Sequence, residues 1–270
     1  MKLYPLLAIV LMTSVCDAKQ NLEIYYEQVE NGYDIYVDNQ ELCPMSIKIS
    51  FELSNLKVSG GNNNIYIASP LKNRQLLTKL IVSKKGKEYK FSYKYWTNFG
   101  NHVEDKYDST FIYSLPFTKS NSFKVYQGYN GSFSHQNKNA LDFTMQVGTK
   151  ISAIRDGLVI KVVEKNSKNC SKEECKKYNN FIVIYHSDGT FAEYAHINKN
   201  GSIVNVGDTV SQNQIIGYSG NVGWSTGPHL HLEVFRQKLH SRETLKTKFK
   251  TEDGNKVEYL VEKAEYFRGY

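Results

Sequence analysis

The first part of the chain alternates apolar and polar residues with a period of two. In residues 47–53, isoleucine, phenylalanine and leucine alternate with lysine, serine and glutamate, and residues 89–95 show the same alternation. Successive side chains of a β-strand point to opposite faces, so both segments predict strands with one buried face. Glycine-rich turn signals at 60–62 and 85–87 separate such runs. Residues 19–115 therefore predict a small β-sandwich that serves as an accessory domain.

Strand patterns resume after a polar connection. Residues 116–124 are rich in Ser, Thr, Asn and Lys, which is typical of a linker. Further apolar runs, with no long helical period between them, lie at residues 151–163, 181–186, 191–196, 215–218 and 229–235. We therefore expect an all-β chain in which the N-terminal sandwich is followed by an antiparallel β-sheet domain over residues 125–270.

Residues 1–18 have the pattern of a signal peptide. Lys2 gives a positive start, and an apolar stretch and a small-residue cleavage site follow. A lipoprotein anchor at Cys16 is the alternative, but Val15 is bulky for the position before it and Thr13 stands where a leucine is usual. No later segment has the length and apolarity of a membrane span. We expect an exported protein of the periplasm or cell envelope.

The net charge allows several kinds of partner. At pH 7 the chain carries a formal charge of +7. A basic exported protein can be drawn to an anionic polymer, a membrane surface or nucleic acid. The lysines are scattered and no nucleic-acid motif is present, so we expect no nucleic-acid partner. Most of this charge is interpreted as a solvated surface.

Two cysteines in a polar segment predict a disulfide. Cys170 and Cys175 lie between predicted strands, and in an oxidising compartment they can close a small ring. Zinc ligation is the alternative, although no second pair of cysteines or histidines lies close by in the sequence. Cys43 is expected as a buried thiol.

Histidines on predicted strand faces are the candidate chemical groups. His229 and His231 are one residue apart in an alternating run, so they share one strand face. By the same rule, Tyr194 and His196 are expected on one face of their strand. The remaining histidines, His102, His186 and His240, are expected to be hydrogen-bonded, packed or exposed side chains.

A carboxylate in a similar position completes the candidate site. Leu141 and Phe143 are expected to face the core, which turns Asp142 the other way, and His135 lies shortly before it. One carboxylate and four imidazoles can thus meet in one groove. Two histidines and one carboxylate around an open fourth position form a recognised catalytic zinc arrangement.

These segments resemble the lysostaphin/LytM-type zinc metallopeptidases, bacterial enzymes that cut peptidoglycan peptides. The resemblance covers about residues 126–235. Its motifs are Ser134-His135 through Asp142-Phe143, Tyr194-Ala195-His196, Gly207-Asp208 through Gly217-Tyr218-Ser219-Gly220, and Pro228-His229-Leu230-His231. The first motif departs from the commoner form, which has a glycine and a shorter His-to-Asp interval. With Gln136 and the longer interval, it looks like a variant of that form.

By matching positions, the resemblance implies a site and an activity. His135, Asp142 and His231 would bind one zinc ion per chain, and His196 and His229 would be the catalytic histidines. The implied enzyme is a zinc-dependent endopeptidase of a LytM-type catalytic domain, which hydrolyses peptide cross-links of bacterial peptidoglycan with metal-activated water. Both D-Ala–diaminopimelate and Gly–Gly bonds remain open as the bond cut.

Two further roles come with the resemblance. Relatives of this fold that have lost ligands act as wall-binding modules or activators of a separate amidase, but here every matched ligand is present. Family members can also be held latent by an upstream segment, so regulation by residues 19–115 within the same chain is an expectation. Glu233 and Tyr194 are candidates to orient the ligands, although ordinary strand positions explain them nearly as well.

Overall fold

The structure is a computed structural model that describes residues 21–61 and 65–270. The predicted signal peptide, residues 1–18, lies outside the described residues. The chain divides into two compact units between His102 and Val103. The described residues are almost entirely β-strands and loops, so the predicted all-β class is confirmed. Within them, no helix is long and apolar enough to cross a membrane.

The described strands of the first unit form two antiparallel sheets. They are β1 (Leu22–Val29), β2 (Gly32–Asn39), β3 (Met45–Ser54), β4 (Leu56–Val58), β5 (Ile65–Ala68), β6 (Lys72–Val82) and β7 (Lys90–Phe99). One sheet has the order β1-β2-β6-β4 and the other the order β5-β3-β7.

Both sheets of the first unit contribute to one hydrophobic cluster. Ile35 comes from β2, and Ile47 and Ile49 from β3, and all three side chains are fully buried. This is the layer arrangement of a sandwich, in which inward residues of two sheets interleave. Cys43 is buried as well, and burial raises the pKa of its thiol to about 12, because a thiolate is poorly solvated there.

The second unit contains the remaining elements. Its strands are β8 (Ile112–Tyr113), β9 (Asn121–Gln127), β10 (Ala140–Thr144), β11 (Lys150–Ser152), β12 (Gly157–Val163), β13 (Asn169–Cys170), β14 (Phe181–Tyr185), β15 (Phe191–Ala195), β16 (Ile197–Ser202), β17 (Thr209–Val210), β18 (Ile215–Ser219), β19 (Gly223–Trp224), β20 (His229–Gln237), β21 (Arg242–Thr244), β22 (Lys248–Thr251), β23 (Lys256–Tyr259) and β24 (Glu265–Arg268). A 3₁₀ helix spans Glu173–Tyr178.

The largest sheet of the second unit has the order β17-β12-β14-β15-β20-β10-β9-β24, with β21 added beside β20. Smaller sheets have the orders β11-β18-β16, β23-β22-β8 and β13-β19. The large sheet is antiparallel at each pairing, whereas β13 and β19 run parallel. On its apolar face, Leu141, Phe143 and Leu232 are buried in the core.

The segment that resembles a linker belongs to the second unit. Leu115 and Phe117 are fully buried in its core, and the ring centroid of Phe117 lies 6.0 Å from that of Phe143. Residues 116–124 also contain the start of β9. Most of the polar residues in this segment are exposed, which gives it the composition of a linker although its aromatic side chains pack inward.

Candidate metal centre

Three neighbouring strands place the polar groups of the site on one face of the large sheet. Asp142 on β10 lies opposite His231 on β20, and Ala195 on β15 lies opposite His231 from the other side. Leu141 and Leu232 point to the buried face and fix the strand orientation by their burial. The period of two therefore directs Asp142 and His231 away from the core.

Three side-chain atoms of the kinds that bind metal ions lie close together on this face of the sheet. His135 Nε2 lies 3.3 Å from Asp142 Oδ1 and 3.3 Å from His231 Nδ1, and His231 Nδ1 lies 2.8 Å from Asp142 Oδ1. Donors of a tetrahedral zinc ion, with bonds of about 2.0–2.1 Å, lie about 3.3 Å from each other. The spacing and the donor types therefore fit an ion of this size.

We call the three atoms of His135, Asp142 and His231 the donor triangle, in the sense of metal donors. Further polar contacts, outside this triangle, orient its two imidazoles. His135 Nδ1 donates to the carbonyl of Gly128 at 2.9 Å, which leaves Nε2 as the free acceptor. His231 Nε2 lies 3.8 Å from a carboxylate oxygen of Glu233. A guanidinium nitrogen of Arg242 lies 2.7 Å from a carboxylate oxygen of Glu233 and 2.8 Å from one of Glu193. These ion pairs hold the Glu233 carboxylate in place beside His231.

Gln127 supports the Asp142 carboxylate, a contact that the sequence pattern does not indicate. Its side-chain amide donates to Asp142 Oδ2 at 3.0 Å and to Ser134 Oγ at 2.7 Å, and its carbonyl oxygen accepts from the Ser134 amide at 3.0 Å. Gln127 thereby ties Asp142 to the turn that carries His135. Only the pairing of β9 with β10, which sets Gln127 opposite Asp142, identifies this role.

The other two predicted site histidines lie side by side next to the donors. His196 Nδ1 donates to the Val222 carbonyl at 2.7 Å, and His229 Nδ1 donates to the Gly227 carbonyl at 2.8 Å. Their ring centroids are 4.4 Å apart, and His229 Nε2 lies 3.9 Å from Asp142 Oδ1. Because carbonyl oxygens can only accept, each Nδ1 carries the proton of the neutral ring and each Nε2 is free to accept one.

Tyr194 and His196 do not share a strand face. Tyr194 is fully buried in the core, where its hydroxyl accepts a hydrogen bond from the Ile154 amide at 2.8 Å. The strand ends at Ala195, and His196 has a φ of 63°. This left-handed conformation breaks the alternation and turns His196 to the side of the donors. The expectation of a common face is therefore wrong, and Tyr194 orients no ligand.

Burial and nearby charges give Asp142, His231, His196 and His229 different protonation states. Burial disfavours the charged form of His231, but the carboxylates of Asp142 and Glu233 outweigh it and raise the pKa to about 10. Burial also opposes ionisation of Asp142, yet the neighbouring His135 and His231 side chains hold its pKa well below the ordinary value. The metal-free site thus favours a carboxylate beside an imidazolium.

His196 and His229 are neutral at physiological pH. Burial, with His229 and His231 nearby, lowers the pKa of His196 to about 3. Burial likewise lowers the pKa of His229. Two buried imidazoles that are neutral and keep Nε2 without a proton are suited to accept or direct protons.

The donors open into a groove of about 640 Å³. Asp142, His196, His229 and His231 all line it. Its walls also include an aromatic pair, Phe133 and Trp224 (ring centroids 6.2 Å apart), and the Lys138, Lys176 and Arg242 side chains. The groove therefore presents both apolar and charged side chains to a ligand.

Several other predicted residues lie outside the groove. The predicted disulfide joins Cys170 and Cys175. His186 is buried and donates through Nδ1 to the Asp156 carbonyl at 2.8 Å, and His240 is exposed. In the first unit, His102 Nδ1 lies 2.9 Å from Ser46 Oγ.

Comparison with known proteins places the site in a family. Residues 136–243 match the model of peptidase family M23. Over 107 residues the chain is 40% identical to the glycyl-glycine endopeptidase ALE-1 of Staphylococcus capitis, covering 39% of this chain and 25% of the relative. Over 96 residues it is 38% identical to the peptidoglycan DD-endopeptidase ShyA of Vibrio cholerae, covering 36% of this chain and 20% of the relative.

Part of the chain is also similar to a solved structure. The catalytic domain of lysostaphin from Staphylococcus simulans is 26% identical, with a TM-score of 0.34, over 46% of this chain and 88% of that one. The chain spans less than a third of the length of the curated relatives. The family match takes in Asp142, His196, His229 and His231, and it begins one residue after His135. Residues 136–243 of the second unit are therefore similar to M23 peptidases, and the predicted resemblance to the lysostaphin/LytM-type metallopeptidases is confirmed.

Proposed function

We propose that this chain is a zinc-dependent endopeptidase that hydrolyses peptide cross-links of bacterial peptidoglycan. The observation that carries the proposal is the donor triangle of His135, Asp142 and His231, in which Asp142 and His231 line a groove beside two neutral histidines. Two of the relatives, a glycyl-glycine endopeptidase and a peptidoglycan DD-endopeptidase, point to the same class of substrate.

In this proposal His135, Asp142 and His231 hold the zinc ion. A set of two imidazoles and one carboxylate leaves further coordination positions open, as catalytic sites require. When bound, zinc lowers the pKa of a coordinated water to about 7 and polarises a carbonyl group. The imidazolium of metal-free His231 must release its proton before it can ligate, so metal binding is expected to compete with protons.

His196 and His229 carry the proton transfers. Both rings are neutral, and both present Nε2 because a main-chain carbonyl fixes Nδ1. One of them accepts the proton of the attacking water, and the other orients that water or stabilises the charge that develops on the carbonyl oxygen. Their burial limits exchange with bulk solvent and strengthens each electrostatic contact.

We further propose that the protein acts outside the cytoplasm, in the periplasm or cell envelope. The signal-like residues 1–18 support this, and so does the Cys170–Cys175 disulfide, since such bonds persist mainly in oxidising compartments. Regulation of the groove by the first unit remains part of the proposal.

Digestion of purified wall fragments tests the function. One preparation should carry diaminopimelate cross-links and another glycine bridges, each incubated with the protein, with a chelator, and with a chelator followed by zinc. We expect metal-dependent release of peptides, and mass spectrometry of the new termini identifies the bond. His231→Ala should be inactive and His240→Ala, at an exposed histidine, should be active. Wall binding without release in every arm would instead indicate a non-catalytic wall-binding module or an amidase activator.

A further inference from the structure

One short segment orients both histidines that flank the donors. We call residues 222–227 the anchor segment. Its Val222 carbonyl accepts from His196 Nδ1, and its Gly227 carbonyl accepts from His229 Nδ1. Ser225 adds to this arrangement, because its hydroxyl donates to the Gly227 carbonyl at 2.7 Å and lies 3.2 Å from His229 Nδ1. The directions of both imidazoles therefore depend on where this segment lies.

A loop that is closed by the Cys170–Cys175 disulfide is hydrogen-bonded to the anchor segment. We call residues 168–179 the disulfide loop. Two main-chain hydrogen bonds join them: the Gly223 amide donates to the Lys168 carbonyl at 2.9 Å, and the Ser225 amide donates to the Cys170 carbonyl at 3.1 Å. The Trp224 indole donates to the Ser171 carbonyl at 3.0 Å. The loop thus forms a short parallel ladder with the segment.

The contact between loop and segment is close as well as hydrogen-bonded. Gly223 has a φ of 90°, and a Cβ at this position would lie 2.8 Å from the Asn179 Cα. Only glycine fits such a conformation and such an approach. Lys176 lies over the Trp224 ring at 4.7 Å, and Cys175 is buried. The disulfide joins Cys170 and Cys175, which lie next to the loop residues that make these contacts.

We propose that the disulfide loop is a positioning device for the two histidines, and that Cys170, Cys175 and Trp224 are its positioning residues. The proposal rests on the proposed function, in which His196 and His229 carry the proton transfers. The metal donors lie on other segments: Asp142 on β10, His231 on β20 and His135 in the turn tied by Gln127. Loosening the loop should therefore impair turnover while metal binding is retained.

Steady-state kinetics of the full chain provide the first test. The variants are Cys170→Ser/Cys175→Ser, which removes the disulfide, and Trp224→Phe, which keeps an aromatic ring and removes the indole donor. Because displacing a reacting group by about 1 Å can cost about 100-fold in rate, we expect kcat to fall by about tenfold or more in the disulfide variant. Zinc content should remain that of the wild type. Glu174→Gln, at an exposed position of the same loop, is the control.

The combined variant separates positioning from a general loss of stability. If the disulfide and the indole act through the same segment, Trp224→Phe should lower kcat much less in the disulfide-free background than in the wild type. Independent effects that multiply would contradict the proposal. A folded disulfide variant with wild-type kcat would overturn it, and if that variant does not fold, wild-type kcat in Trp224→Phe decides against it.

A spectroscopic measurement makes the test independent of activity. In the wild type, the Nδ1 protons of His196 and His229 are hydrogen-bonded to carbonyls and should give protected downfield proton resonances. We expect both signals to broaden or disappear in the disulfide variant and to persist in Glu174→Gln. Unchanged signals would refute the positioning role, whereas a wild type that shows the signals but releases no peptide would refute the proposed function alone.

Discussion

Replacement of Gln127 by methionine should weaken metal binding although Gln127 is not one of the proposed ligands. Gln127 is buried, at 4% exposure, and donates to Asp142 Oδ2. Methionine has a similar shape but cannot donate. The variant therefore leaves a buried carboxylate oxygen without its partner and frees the turn that carries His135.

The size of the effect follows from the hydrogen bond that is lost. A hydrogen bond to a charged group contributes about 1.5–3 kcal/mol. Since about 1.4 kcal/mol corresponds to a tenfold change in affinity, zinc should bind about 10–100-fold more weakly. Losses of this size are usual when a group that orients a metal ligand is removed.

Competition titration against a chromophoric chelator measures this affinity directly. Circular dichroism should show that Gln127→Met is folded, and activity at saturating zinc should recover most of the wild-type rate. Gln28→Met is the matched control, since Gln28 is exposed and bonds Tyr89 in the first unit. A folded Gln127→Met protein with zinc affinity within about twofold of the wild type would refute the argument.

Three further results are expected. His196→Ala should keep one zinc per chain by elemental analysis and lose wall cleavage, whereas His231→Ala should lose both; full activity in either would reject the assigned roles. Burial holds the pKa of His186 at about 4, below its ordinary 6.5, so the unfolded chain binds the extra proton between these values. Stability is therefore lost as pH falls through this window, by about 3 kcal/mol in total, and denaturant titrations of His186→Gln should show a flatter pH dependence. Finally, if the first unit restrains the groove, residues 103–270 should cleave wall fragments faster than the full chain, and an equal or slower rate would exclude inhibition.

The sequence was sufficient for features that depend on local pattern. A period of two places Leu141 and Phe143 inward and Asp142 outward whatever the strand pairs with, and it puts His229 and His231 on one face. The same rule failed at His196. This residue adopts a left-handed conformation directly after the strand ends, and the alternation of apolar and polar residues does not indicate it.

The domain boundary shows another limit of local pattern. Residues 116–124 have the composition of a linker, but Phe117 is buried against Phe143, a residue distant in sequence. Composition records how many polar residues a segment has, whereas burial depends on which apolar side chains find a partner. The segment therefore joins the core although most of its residues are polar.

The sequence by itself determined the all-β class and the M23-type motifs, and it favoured a Cys170–Cys175 disulfide over zinc ligation. What only the tertiary structure decided is how these groups are held: Gln127 against Asp142, and the anchor segment between the disulfide loop and the two histidines. The physical reason is that strand faces follow from neighbouring residues, while these supports are hydrogen bonds between segments far apart in sequence. Such contacts exist only once the strand register is fixed.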